Sequence, residues 1–235
     1  MQIETNFLHL LSQIEQDGYA VVQGVLGHEQ IAVLSDYIHP LLKLNSPAGV
    51  RNLAYRLPAV RVLAESNRVR ALIEPILGKE AKLVRSVLFN KDQDTNWQVA
   101  WHQDLTIAVQ SRDEVTGFTS WSVKEGITHV QPPTAILEKM LTVRLHLDAA
   151  DENNGGLWVS PGSHRLGRIP AGEAAAVAAR HGKILCSVQP GDVLMLRPLL
   201  LHASRKAVLE NPRRVIHLEF AGVILPKPLA WHDAA

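Results

Sequence analysis

The sequence predicts a mainly β fold, a sandwich, barrel or jelly roll, behind a helical N-terminal flank. Three observations carry this. From Lys82 onward, eight short apolar runs are separated by turn sequences. Two of those turns, ENNGG and QPGD, are rich in residues that tolerate positive φ or fix their own φ. Before Lys82 the apolar residues instead recur at helical spacing.

In chain order, Phe7, Leu8, Leu11 and Ile14 share one helical face, and Gly18 ends that helix. YAVVQGV reads as a strand. HEQIAVLSDYIHPLLKL and NRVRALIEPILG read as helices, the second stopping at Gly78. These elements form a flank over residues 1–80. The core, 82–223, carries the strand-like runs KLVRSVLFN, WQVAWHQDLTIAV, MLTVRLHLD, GLWVS, KILCSV, DVLMLR, LLLHAS and RRVIHLEFAGV, with AGEAAAVAARHG as an inserted helix. Residues 110–133 read as a long irregular segment, a length that favours a lid or binding loop, with Phe118 and Trp121 placed to close over a ligand. No repeat or low-complexity linker divides the 235 residues, so a single domain is expected.

Composition narrows the function. Hydrophobic residues make up 46% and charged residues 20%, as in a soluble globular chain. With 24 basic and 23 acidic residues and no basic block, neither nucleic acid nor a membrane surface is an expected partner. No apolar stretch approaches the roughly 18 residues of a membrane span, and the N-terminus lacks the pattern of a secretory signal. A lone cysteine, Cys186, fits a reducing compartment, and a cytoplasmic location is expected. Composition says nothing about oligomeric state.

Eleven histidines give a rich pool of metal ligands. His-x-Asp occurs at His102/Asp104 and again at His146/Asp148, with a near version at His217/Glu219. On a strand, residues i and i+2 face the same side, so such a pair aims an imidazole and a carboxylate at one point. Adding a remote histidine makes the facial triad of non-haem Fe(II) oxygenases. The first pair is favoured because His202 ends a later strand, and because Arg213 follows on a returning strand. A guanidinium there can grip a carboxylate with two parallel bonds. Asp148 runs into a polar turn that it can cap, and His217 with Glu219 reads as a buried hydrogen-bonded pair.

WHQD, NNGGLWVSPGSHRLG, PGDVLMLRPLLLHAS and NPRRVIHLEF together resemble the phytanoyl-CoA dioxygenase family of Fe(II)/2-oxoglutarate-dependent oxygenases, over roughly Lys82 to Val223. The resemblance implies a double-stranded β-helix, a cupin-like jelly-roll barrel, with flanking N-terminal helices. It implies an enzyme that hydroxylates a small-molecule substrate with O2 and releases succinate and CO2. His102, Asp104 and His202 would hold Fe(II). Arg213 would pair with the distal carboxylate of 2-oxoglutarate, with Ser204 and Gln103 as secondary contacts. Arg214 points to the other strand face. Because Asp104 is a carboxylate, hydroxylation is favoured over halogenation. Gly155, Gly156 and Pro161-Gly162 read as turns, and His164 as bonded within its loop. Lys91, Trp97, Trp121, Arg144, His146 and Glu219 are the candidate substrate contacts.

Two other functions fit less of the pattern. A cupin-like metal enzyme without 2-oxoglutarate leaves Arg213 without a purpose. A non-catalytic jelly-roll binding protein leaves the whole ligand set without one. A zinc hydrolase lacks support, since the chain has no His-Glu-x-x-His or Cys-rich pattern.

Overall fold

A computed structural model describes residues 2–44, 49–91, 96–208 and 212–233. The side chains of residues 1–8 and 43–48 lie outside that description, and with them the predicted face contacts of Phe7 and Leu8. The flank comprises α1 (Gln2–Gln16), β1 (Tyr19–Val22), α2 (His28–Leu44), β2 (Val50–Arg51), α3 (Leu53–Arg56), α4 (Pro58–Ala64) and α5 (Asn67–Leu77). Ser66 caps α5 by accepting a hydrogen bond from the Val69 amide. Gly78 ends it at φ 86°. The two short helices α3 and α4 escape sequence reading because neither completes an amphipathic period; Pro58 at the first position of α4 was the available signal.

The rest of the chain forms β3 (Lys82–Lys91), β4 (Val99–His102), β5 (Ile107–Val109), β6 (Thr119–Lys124), β7 (Ile127–Gln131), α6 (Thr134–Leu137) and β8 (Met140–His146). It continues with β9 (Leu157–Val159), a 3-10 turn (Ser163–Leu166), α7 (Ala174–His181), β10 (Ile184–Cys186), β11 (Val193–Leu196), β12 (His202–Ser204) and β13 (Arg213–Ala221). All strand pairings are antiparallel. A six-stranded sheet runs β1-β11-β8-β13-β3-β2 and a four-stranded sheet runs β10-β9-β12-β4, the two walls of a jelly roll. A third sheet, β5-β7-β6, stands beside them.

Strand alternation assigns the two faces of the large sheet. Leu141, Val143 and Leu145 of β8, with Ile216, Leu218 and Phe220 of β13, join Ile14, Leu34, Ile38 and Ile73 of the helices in the largest apolar core. The alternate residues, Thr142, Arg144 and His146 on β8 and Arg213, His217 and Glu219 on β13, are also buried, on the side facing the smaller sheet. Polar side chains at that depth must find partners or a ligand.

Residues 110–133 are not irregular throughout. The second half is the β6–β7 hairpin, whose turn residues Glu125 and Gly126 have φ 51° and 79°. Both central residues at positive φ make a primed two-residue turn, usually signalled by Asn-Gly or Asp-Gly; Glu-Gly hid it. Phe118 lies in the apolar core beneath this sheet with Ile107, Val130 and Trp231, so it anchors the segment instead of closing over a ligand. No helix of the described residues is long and apolar enough to cross a membrane.

Candidate metal centre

β12 pairs with β4 so that His202 lies directly opposite His102. Their rings stack at a tilt, centroids 4.2 Å apart. Each ring donates its Nδ1 proton to a backbone carbonyl two residues earlier, His102 to Ala100 at 2.8 Å and His202 to Leu200 at 2.9 Å. That fixes the tautomer and turns both Nε2 lone pairs to the same side. Asp104 closes the group, with His102 Nε2 3.8 Å from Oδ1 and His202 Nε2 3.6 Å from Oδ2. One ligand atom from each residue lies within 4.8 Å of the others, a spacing that suits a shared metal ion.

Asp104 reaches this position by a route that strand alternation does not supply. β4 ends at His102, and Asp104 lies in the loop beyond. Gln103 anchors that loop: its amide nitrogen donates to the Gly167 and Leu199 carbonyls at 2.8 and 2.7 Å, and its oxygen accepts from the Ile169 amide at 2.8 Å. The Asp104 amide donates to the Pro198 carbonyl at 2.9 Å. Gln103 is therefore a loop anchor, its amide nitrogen donating twice and its oxygen accepting once, and it is not among the residues that line the adjoining cavity. Burial pushes the Asp104 pKa up, but His202 and His102 outweigh it and hold the carboxyl at about 2. Burial pushes His202 down to about 4 against the pull of Asp104, leaving its lone pair free at neutral pH.

Beside this group a cavity of about 190 Å³ opens between the two sheets, lined by Phe89, Trp97, Val99, His102, Asp104, Arg144, Leu157, His202, Ser204, Arg213 and His217. Arg213 is 3% exposed, and its Nε and Nη1 have no partner among the described residues. Burial, and then the neighbouring Arg144, push its pKa down to about 9. A buried guanidinium without an acceptor is an unmet demand for an anion. Arg214, on the opposite face, is already taken: Asp148 accepts from its backbone amide at 2.7 Å and from its Nε and Nη2 at 2.9 and 2.7 Å. Asp148 is thus an arginine partner, not a turn cap.

The other predicted contacts divide. Trp97, Arg144 and Ser204 line the cavity. Lys91 stands behind it, donating to Ser204 Oγ at 3.2 Å and to the Arg205 carbonyl at 2.8 Å. Gly155, at φ 76°, makes room for it: a Cβ there would lie 3.0 Å from Lys91 Nζ and 2.8 Å from the Arg205 oxygen. Glu219 accepts from Arg85 at 2.8 Å and from His217 Nε2 at 3.0 Å, the buried pair expected from sequence. His146 is buried with neither ring nitrogen bonded among the described residues, and Trp121 packs on the core beneath the third sheet. His164 bonds the Glu15 carbonyl at the end of α1, outside its own loop. His217, which shares a strand face with Arg213, lines the cavity as that placement allows, while Phe89, Val99 and Leu157 were not foreseen as cavity walls.

A family model described as phytanoyl-CoA dioxygenase matches residues 14–215. Ectoine dioxygenase of Sphingopyxis alaskensis is 22% identical over 246 residues, covering 89% of this chain and 74% of that protein. Among solved structures, EctD from S. alaskensis with bound Fe superposes with a TM-score of 0.74 at 22% identity, over 94% of this chain and 79% of that one. The epimerase SnoN in complex with Fe3+, alpha ketoglutarate and nogalamycin RO gives 0.72 at 20% identity, over 99% and 88%.

Proposed function

The chain belongs to the phytanoyl-CoA dioxygenase family, and on that premise we propose that it is an Fe(II)- and 2-oxoglutarate-dependent dioxygenase that hydroxylates a small molecule with O2, releasing succinate and CO2. The observation that carries this is the convergence of His102, Asp104 and His202 next to a buried arginine whose Nε and Nη1 lack acceptors among the described residues. Support also comes from EctD of S. alaskensis, solved with 2-oxoglutarate and 5-hydroxyectoine.

His102, Asp104 and His202 would hold Fe(II) at the edge of the cavity. Bound there with 2-oxoglutarate and O2, the metal supplies oxidising chemistry that no side chain provides. The Ala100 and Leu200 carbonyls keep the two Nε2 atoms aimed at it. Arg213 takes the distal carboxylate of 2-oxoglutarate through its unpartnered nitrogens, and the Ser204 hydroxyl, held by Lys91, turns its proton toward the same group. Phe89, Trp97 and Leu157 exclude water around the reacting centre. A metal enzyme that dispenses with 2-oxoglutarate leaves the Arg213 nitrogens unmatched. The buried lone thiol of Cys186 suits work in the cytoplasm.

Succinate formation from 2-oxoglutarate under air tests the assignment. It should require added Fe(II) and fall to background in His202→Ala. Succinate release at the wild-type rate by His202→Ala would overturn it.

A further inference from the structure

Arg213 is one of two buried arginines on the cavity wall. The second, Arg144, is 6% exposed and lines the same cavity. Its Nη1 donates to His217 Nδ1 at 3.1 Å, while its Nε is buried without a partner among the described residues. Because Nδ1 of His217 accepts that bond, its Nε2 carries the proton that goes to Glu219, whose carboxylate also takes Arg85. The row Arg144–His217–Glu219–Arg85 thus orients the Arg144 guanidinium without neutralising it, since the only carboxylate in the row is already paired with Arg85. The Phe89 ring packs against it, with the guanidinium carbon 5.5 Å from the ring centroid.

Among the described residues that line the cavity the charge does not balance: Asp104 is the only carboxylate there, against Arg144 and Arg213. A divalent metal and dianionic 2-oxoglutarate cancel each other, which leaves the arginines in excess of Asp104. Lys91 adds to that excess; burial first, then Arg213 and Arg144, push its pKa down to about 8. Arg144 pairs across the sheet with His217, four residues from Arg213 along β13, so the two arginine backbones are roughly 13 Å apart. 2-Oxoglutarate with its tail on the Arg213 Nε and Nη1 would still leave the buried Arg144 Nε without an acceptor among the described residues.

We infer that Arg144 is the anchor for an acidic group on the substrate, so that the molecule oxidised is an organic acid held by this guanidinium beside the metal. The inference rests on the proposed function, and the experiment separates the two. Protein is loaded anaerobically with Fe(II) and saturating 2-oxoglutarate, and formation of the visible charge-transfer band is recorded. The thermal unfolding midpoint of that complex is then followed with propionate against propionamide, and with benzoate against benzamide, at matched ionic strength. The acids should raise the midpoint and the amides should not. Arg144→Gln should form the band yet lose the response to acid, and Arg144→Lys, which keeps a cation, should retain part of it.

No band in the wild type would defeat the functional reading. A band with no preference for acids over amides would overturn the inference alone. So would an acid response in Arg144→Gln equal to that of the wild type. Loss of the band in Arg144→Gln, as expected for Arg213→Gln, would assign Arg144 to 2-oxoglutarate and also overturn it.

Discussion

Adjacent arginines on one strand have opposite fates because side chains alternate across a sheet. Arg213 points between the sheets and is left with unmet donors, while Arg214 points away and is held by Asp148. The spacing from His202 and the alternation of β13 were legible in the sequence and favoured Arg213 over Arg214 for the inward position. The partner of Arg214 was not, because Asp148 lies sixty-six positions earlier and reads locally as a turn residue. Arg213→Lys keeps the charge but loses the fork. Losing one charge-assisted hydrogen bond worth roughly 1.5–3 kcal/mol should raise the Kd for 2-oxoglutarate about 10–100-fold, read from the anaerobic charge-transfer titration. Arg214→Ala should leave that Kd in place and lower stability by about 1–2 kcal/mol in urea unfolding, since Asp148 loses its partner. Asp104→Ala should reduce Fe(II) retention after gel filtration at least tenfold, with the fold intact by circular dichroism.

At the scale of elements, periodicity located the long helices and the strands, and missed what depends on turn chemistry or on distant anchors. The β6–β7 hairpin was read as loop because its turn is Glu-Gly, and the Asp104 loop was read as strand because its anchors at Gly167, Ile169, Pro198 and Leu199 lie far along the chain. β7 carries His129, buried with its Nδ1 proton on the Ile127 carbonyl. Burial first, opposed by that bond and helped by Arg85, Lys124 and Arg51, pushes its pKa from 6.5 to about 4. The unfolded chain takes up this proton near pH 6.5 while the native sheet refuses it until about 4, so stability is complete above 6.5 and declines as pH falls through that window. The loss from this group should reach roughly 2 kcal/mol at pH 5 in urea unfolding. His129→Gln should flatten the decline; an unchanged slope would contradict the assignment. Gly155→Ala, strained at φ 76° and crowding Lys91, should destabilise by about 1–3 kcal/mol.

For the whole molecule, the jelly roll was legible because many short strands and strong turns leave few alternatives, and the four family motifs narrowed those to one. What sequence could not supply is depth. The residues between the sheets come from β3, β4, β8, β9, β12 and β13, and only the pairing of those strands shows that Arg144 and His217 reach the cavity while Gln103 turns away from it. The helices complete this design by packing their apolar faces on the outer side of the large sheet, which leaves its inner side for polar groups. The same division explains why a buried strand such as β8 carries arginine and histidine between leucine and valine. Under the proposed function, these inward residues make an iron site that also binds 2-oxoglutarate. Anaerobic titration of Fe(II) into the protein with 2-oxoglutarate tests it most directly. A visible metal-to-ligand charge-transfer band that requires both additions and is lost in His102→Ala is the predicted result. Iron that binds without producing the band, or a band that persists in His102→Ala, would contradict it.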